Sequence, residues 1–516
     1  MNKTTAIALA AVTLASVPLC CSAAGASTGP AAVSHPDQQN RSSSEIGDSV
    51  TRHSLMLKGA RLRYHATAGR LIIADDDDKP EARMFYVAYT RDGASERDRP
   101  VTFLFNGGPG SSSIYLHMGS FAPVRMRAPD PRSPRPVPPG LEPNPSTLLD
   151  VTDLVFIDMI GTGYSRPEPG VGGKKFWNVD GDADSFSRFI KAWLRTNGRS
   201  LSPKFIFGES YGTARAATLA NRLQNTGVAV NGVMLAGAVL NLGIFGSGYD
   251  QNFVSYLPSM AASAWYHHKA GAGASNLPSF LDEARAFAAG PYQQALAKGH
   301  DLPKAEEASI AAQYAKLTGL SVDYVLRADL RVQPEDFRKE LLRSESRIIG
   351  GFDARFTGVD SSDSGQNPEG DPANTVVETS LSASLENYLQ RDLGYRPDIS
   401  YRFGIQERPE FDFDFRHQDA LGHSQLVADT AVDLAAAMRS NPNLQVAFFN
   451  GYFDLRTPFG AAEYDSSHML LDPERRKNLS MHYYEAGHML YFDDKVLGTL
   501  HDDIRNFILN ACERSR

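Results

Sequence analysis

The sequence predicts an α/β protein in which a mostly parallel central sheet, with helices on both faces, is interrupted by an inserted and mainly helical cap. Three observations carry this. Short apolar strands alternate with amphipathic helices from about residue 154 to 237, that rhythm breaks into mainly helical patterning from about Gly243 to Phe413, and the alternation then resumes to the C-terminus. At 516 residues and 42% hydrophobic content, the chain can bury one large core or two smaller ones.

The N-terminus, MNKTTAIALAAVTLASVPLCCSAAGAS, has one lysine, an apolar stretch from Ala6 to Leu19 and then small residues. This is the pattern of a secretory signal over residues 1–26, and it predicts an exported protein, periplasmic or extracellular. The apolar stretch is short for a membrane span, and no later segment approaches the roughly 20 apolar residues that a span needs. Removing the signal removes Cys20 and Cys21, so Cys512 is left without an intramolecular disulfide partner. Residues 27–50 are rich in Ser, Gly, Pro, Ala and Gln and read as a flexible leader.

The first part of the core is expected over 51–242. RLRYHAT, RLIIA, MFYVAYT and VTFLFN are rich in β-branched and aromatic residues and read as successive strands, the first few forming an antiparallel edge. ADDDDKP between them reads as a solvated hairpin loop. LVFID is a continuous apolar run that suits a strand covered on both faces. In DADSFSRFIKAWLRTNG, Phe186, Phe189, Ile190, Trp193 and Leu194 share one helical stripe; Asp182 or Asp184 is expected to cap its start, and Gly198 to end it. The strand KFIFG, a helix from about Tyr211 to Asn225 with Gly227 beyond it, and the strand VNGVMLAG complete a βαβα series.

The cap is expected over 243–413, with helices in PSFLDEARAFAAG, PKAEEASIAAQYAKLTG and PEDFRKELLR, and one long exposed loop at DSSDSGQNPEGDPAN. The second part of the core, 414–516, should hold a helix around Leu426 to Met438, the strands LQVAFFN and MHYYEAG, and a terminal helix. A net charge of −8 and a pI near 5.9, without a sustained basic run, argue against a nucleic-acid partner. Nothing in the sequence fixes an oligomeric state.

Chemistry concentrates at FIFGESYGTARAA. Gly208 and Gly212 flank Ser210 between a buried strand and a helix, where a tight turn can hold the hydroxyl out at the carboxyl end of the sheet. A turn serine that caps the helix is the structural alternative. A serine hydroxyl needs an imidazole base, and the imidazole needs a carboxylate to fix its tautomer. Asp454 in GYFDLRTP and His488 in AGHMLY each follow an apolar strand, which gives the order Ser, Asp, His expected of an α/β-hydrolase. Catalytic roles are therefore expected for Ser210, Asp454 and His488. In FLFNGGPGSSS, adjacent glycines let backbone N–H groups approach a ligand, so the N–H groups of Gly108 and Tyr211 are expected to form an oxyanion hole.

Four segments, NGGPGSSS, IDMIGTGYS, GESYG and the pair GYFDLRTP with AGHM, together resemble the serine carboxypeptidase family from about residue 80 to the end, least through the cap. The resemblance implies that Asn106, the Gly107 N–H and Glu209 bind the terminal carboxylate of a peptide substrate, and that Met489 lines the pocket for the leaving residue. Three departures stand out. Ser111 replaces a disulfide cysteine of the eukaryotic members, Met159 and Ile160 replace a Pro-Val pair, and Ser120 stands where the family has a second carboxylate-binding glutamate.

Two carboxylates cannot share a hydrogen bond unless one is protonated, so such binding needs a proton on Glu209. Peptidase activity is then expected to be best in mild acid, and Glu209→Gln to move the optimum upward. An esterase or acyltransferase with the same triad, and a noncatalytic binding protein on this fold, are the competing readings. No cofactor is expected. The histidines show no metal-ligand spacing, and Gly161, Gly163 and the Gly170–Gly173 loop lack a glycine-rich turn opening a helix.

Overall fold

The computed structural model describes residues 47–95, 97–132, 138, 140–246 and 248–514. The expected signal segment, and the leader up to residue 46, lie outside the described residues. Strand β1 (Ser49–Leu57) already includes Ser49 and Val50, which the sequence reading left to the leader. RLRYHAT and RLIIA are not separate strands but one 15-residue strand, β2 (Ala60–Ala74), because the Ala-Gly pair between them, Ala68 and Gly69, stays in register with β3 (Pro80–Arg91). The acidic loop joins β2 to β3 and is largely exposed, as expected.

β4 (Val101–Phe105), the short helix α1 (Ile114–Gly119), β5 (Asp153–Ile157), α2 (Val179–Thr196), β6 (Lys204–Glu209), α3 (Tyr211–Asn225) and β7 (Gly232–Ala236) follow. Both α2 and β5 bear out the apolar patterns. Phe186, Phe189, Ile190 and Trp193 are buried, each contributing about 1.5–3 kcal/mol relative to exposure, and every residue of β5 is buried. The cap of α2 is a correction. Asn178, not Asp182 or Asp184, accepts the Gly181 N–H at 2.7 Å, because the helix starts one turn earlier. Asp182 turns inward instead and pairs with the Nε of Arg215 on α3 at 2.7 Å, both side chains buried.

Between β7 and the next sheet strand lie α4 (Gln251–Tyr266), α5 (Leu277–Phe287), α6 (Lys304–Thr318), α7 (Pro334–Glu340) and α8 (Pro372–Arg391), with shorter helical turns between them. α5, α6 and α7 match their predicted segments. Helix α4, an apolar run with Pro258 inside it, was not anticipated. The polar stretch from Asp360 is a loop only as far as Asp371. There the aspartate side chain accepts the Ala373 N–H and Pro372 opens a 20-residue helix, a start signal masked by the polar composition around it. The helix expected from Leu426 begins later, as α9 (Ala431–Ser440), because Ala428 and Thr430 give their N–H groups to Phe415 and Leu240. β8 (Gln445–Gly451), β9 (Leu479–Tyr484) and α10 (Asp494–Arg514) close the fold.

One ten-stranded sheet organises these elements, in the order β1-β2-β3-β5-β4-β6-β7-β8-β9, with a two-residue strand at Arg166–Pro167 also paired to β3. Pairs from β1 to β5, and the pair of Arg166–Pro167 with β3, are antiparallel, and the others are parallel. The carboxyl ends of β4, β6, β7, β8 and β9 therefore open on one edge, where parallel sheets present their functional loops.

Candidate active site

The turn after β6 explains its two glycines by space. A Cβ on Gly208 would sit 2.1 Å from the carbonyl oxygen of Gly212, and one on Gly212 would sit 2.9 Å from that of Phe105. Between them Ser210 has φ +59° and ψ −134°, a conformation that an L-residue adopts only under constraint. The Ser210 side chain makes no capping bond to α3, so the helix-cap alternative does not describe it. Its N–H donates to the carbonyl of Ala236 at the end of β7, at 3.0 Å.

The next residue on that strand end, Gly237, places the imidazole. A Cβ there would meet His488 Nδ1 at 2.9 Å, so the ring lies against the backbone one residue from Ser210's anchor. His488 Nδ1 is 2.8 Å from Asp454 Oδ2 and 2.9 Å from Thr457 Oγ1. Asp454 is fully buried. Its Oδ1 accepts the N–H groups of Arg456 (2.7 Å) and Thr457 (2.9 Å), and its Oδ2 accepts the Thr457 hydroxyl (2.8 Å). With Nδ1 turned to a carboxylate, Nε2 is the nitrogen left to act as a base.

Nε2 lies 3.4 Å from Oε1 of Glu209, the residue beside the serine. Among the described residues no hydrogen bond joins Ser210 to His488, so the contact expected of a base and its nucleophile is not closed here. Such bonds commonly tighten only when substrate arrives. Glu209 is 3% exposed, and its Oε2 accepts the Asn106 amide at 2.7 Å. Burial pushes the Glu209 carboxyl above the usual range, against the His488 charge and the Asn106 bond, which pull it down. For His488, burial alone would lower the pKa, but the charges of Asp454 and Glu209 outweigh it and the net shift is upward.

Asn106 and its glycines are fixed from three directions. The Asn106 carbonyl accepts Arg215 Nη1 at 2.6 Å, its side-chain oxygen accepts the Leu116 N–H of α1 at 2.9 Å, and Gly107 lies so close to the elbow that a Cβ would be 2.5 Å from the nitrogens of Tyr211 and Gly212. Gly108 has φ +105°, reached freely only by glycine, and faces Gln406, whose amide donates to Ser111 Oγ at 2.8 Å. Tyr211 opens α3 directly after the serine. Met489 is half-buried against the larger core. Ser120 is buried and donates to the Leu116 carbonyl at 2.5 Å, so its hydroxyl proton is spent within the turn of its own helix.

Three contributors escaped the sequence reading. Thr457 joins Asp454, His488 and the Gly237 carbonyl (2.9 Å), a role hinted at only by a hydroxyl three residues after the aspartate. Phe352 accepts the His488 N–H at 2.6 Å and places its ring 5.5 Å from the imidazole. Asp371 accepts the N–H groups of Gly351 and Phe352 and binds Arg456 at 2.9 Å, so the start of α8 braces the histidine loop. Among the described residues no cluster of His, Cys, Asp or Glu could hold a metal ion, and no helix is long and apolar enough to cross a membrane. A cleft of about 450 Å³ lined by Arg52, His53, Arg63, His65 and Asp92 sits at the antiparallel edge, away from these groups.

A strained serine after β6, an aspartate after β8 and a histidine after β9, on a sheet of this order, define the α/β-hydrolase fold. Within it, the family model described as serine carboxypeptidase matches residues 68–490, and the chain belongs to that family. It is 28% identical over 160 residues to the pheromone-processing carboxypeptidase KEX1 of Saccharomyces cerevisiae, a match covering 30% of this chain and 21% of that protein. The chain thus spans about a fifth of the length of the curated relatives it matches. Among solved structures, it is similar to a proline iminopeptidase of Mycobacterium smegmatis, at 12% identity and a TM-score of 0.38, covering 87% of this chain and 100% of the other. A monoglyceride lipase variant of Saccharomyces cerevisiae gives 12% identity and a TM-score of 0.35, with coverages of 86% and 95%.

Proposed function

We propose that the protein releases C-terminal residues from peptides through an acyl-enzyme on Ser210. One observation carries the reading: His488 lies between Asp454 at Nδ1 and Glu209 at Nε2, beside a serine held in a strained turn. Nε2 takes the Ser210 proton as Oγ attacks the scissile carbonyl, and the oxyanion is received by the N–H groups of Gly108 and Tyr211. The imidazolium returns its proton to the departing amine. Water then repeats the sequence on the ester and frees the shortened peptide.

The leaving residue differs from an internal one by its carboxylate, and Glu209 is the group suited to recognise it. Carrying a proton, it donates to that carboxylate beside the Asn106 amide and the Gly107 N–H, whereas ionised it would repel it. In this close pair the reactive arrangement has the proton on Glu209, with His488 neutral. Met489, directly after the base, lines the leaving-residue side. The N-terminal sequence supports an exported protein acting in the periplasm or outside the cell.

The test compares an N-blocked peptide with its C-terminally amidated twin and a simple ester, for wild type and Ser210→Ala, with products identified by mass. The free acid should lose single C-terminal residues at least tenfold faster than the amide is cleaved, and Ser210→Ala should abolish all turnover. Equal rates on acid and amide, with rapid ester cleavage, would make the protein an esterase or acyltransferase; no Ser210-dependent turnover would leave a binding protein.

A further inference from the structure

A carboxylate taken out of water into a site as closed as this one needs donors for both of its oxygens. Glu209 and Asn106 lie where they can serve it, and Ser120 does not. Tyr491 does. It lies three residues after His488 in the short helical turn Leu490–Phe492, is fully buried, and packs its ring 5.3 Å from that of Phe492. Its hydroxyl oxygen accepts the Asn106 amide at 3.3 Å, while the same amide nitrogen donates to Glu209 Oε2 at 2.7 Å. The phenol oxygen and the Glu209 carboxyl are thus within about 6 Å of each other on either side of one donor.

The bond to Asn106 uses the phenol as an acceptor. Among the described residues its own proton has no acceptor, in a place where an unmatched donor is costly. We infer that Tyr491 donates this proton to the C-terminal carboxylate of the peptide, as a second binding group beside Glu209. The assignment rests on the carboxypeptidase reading above and extends it. Burial, with the nearby Glu209 charge, holds the phenol well above its ordinary range, so the donor stays protonated at every pH at which the enzyme works. Glu209 switches with pH and Tyr491 does not, which leaves a basal affinity for free carboxylates after Glu209 has ionised.

The test is Tyr491→Phe in the full chain, which keeps the ring and removes the hydroxyl, assayed on the free-acid peptide and on the ester that has no carboxylate. The wild-type comparison of free acid with amide comes first. If wild type treats them alike, the carboxypeptidase reading fails and this assignment with it. If wild type discriminates, Tyr491→Phe should raise KM for the free acid about tenfold to a hundredfold, the effect of losing a hydrogen bond to a charged group, with kcat nearly unchanged and ester hydrolysis intact. An unaltered KM, or an equal loss on the ester, would overturn the assignment and leave the hydroxyl a structural role.

Discussion

On the Nδ1 side of His488, Asp454 receives two backbone N–H groups and the Thr457 hydroxyl as well as the imidazole; on the Nε2 side, Glu209 receives the Asn106 amide, with the Gly107 N–H close by. Both carboxyls are buried, and both touch the same ring. The difference lies in how many donors meet each. Converging donors fix the orientation of the Asp454 carboxyl, which would hold the imidazole in one tautomer and stabilise it when it is protonated. Glu209 lacks that support, so burial dominates and favours the proton. On the proposed reading, two residues of similar chemistry serve two tasks, one for turnover and one for substrate choice.

The comparison can be broken most severely from the Asp454 side. Asp454→Asn keeps the shape but presents an amide that can leave His488 in the wrong tautomer; kcat should fall by about 10⁴-fold on free-acid and ester substrates alike. A loss confined to free acids would mean that Asp454, too, serves substrate choice. Thr457→Val sharpens the same point at smaller scale. It deletes one donor to Asp454 and the tie to Gly237, and should lower kcat about tenfold on both substrates with KM unchanged, as measured by steady-state kinetics on each.

How much of this the sequence discloses follows from distance along the chain. The elbow is legible because Gly208, Ser210 and Gly212 act on one another within five residues, and the clashes that a Cβ would cause at either glycine belong to that turn. Asp454 and His488 are legible because each follows an apolar strand of a parallel sheet, whose ends are its working edge. The support around them is not. The Phe352 carbonyl reaches His488 across more than a hundred residues, and Asp371 braces it from a segment whose polar composition reads as loop. Even Asp-Pro at 371–372, a local helix start, is hidden by the Ser, Asp and Gly residues before it. The Asp182–Arg215 pair that fixes Asn106 is equally silent, since a buried charge is revealed only by its partner.

Glu209→Gln acts on the other carboxyl, and should change the rate at the optimum least while reshaping the pH profile most. In the wild type, affinity for a free carboxylate falls as pH rises through the elevated Glu209 pKa, and the base is lost as pH falls through the elevated His488 pKa. Glutamine donates at every pH, which removes the first limit. On the acid side Glu209 already carries its proton, so glutamine replaces a neutral acid and the second limit stays close to its wild-type position. The decisive measurement is therefore kcat/KM against pH for the free-acid peptide, wild type beside Glu209→Gln. A profile that widens on the alkaline side, moving the optimum upward, is the predicted result; an alkaline limb that superposes on the wild type would contradict the protonated role of Glu209.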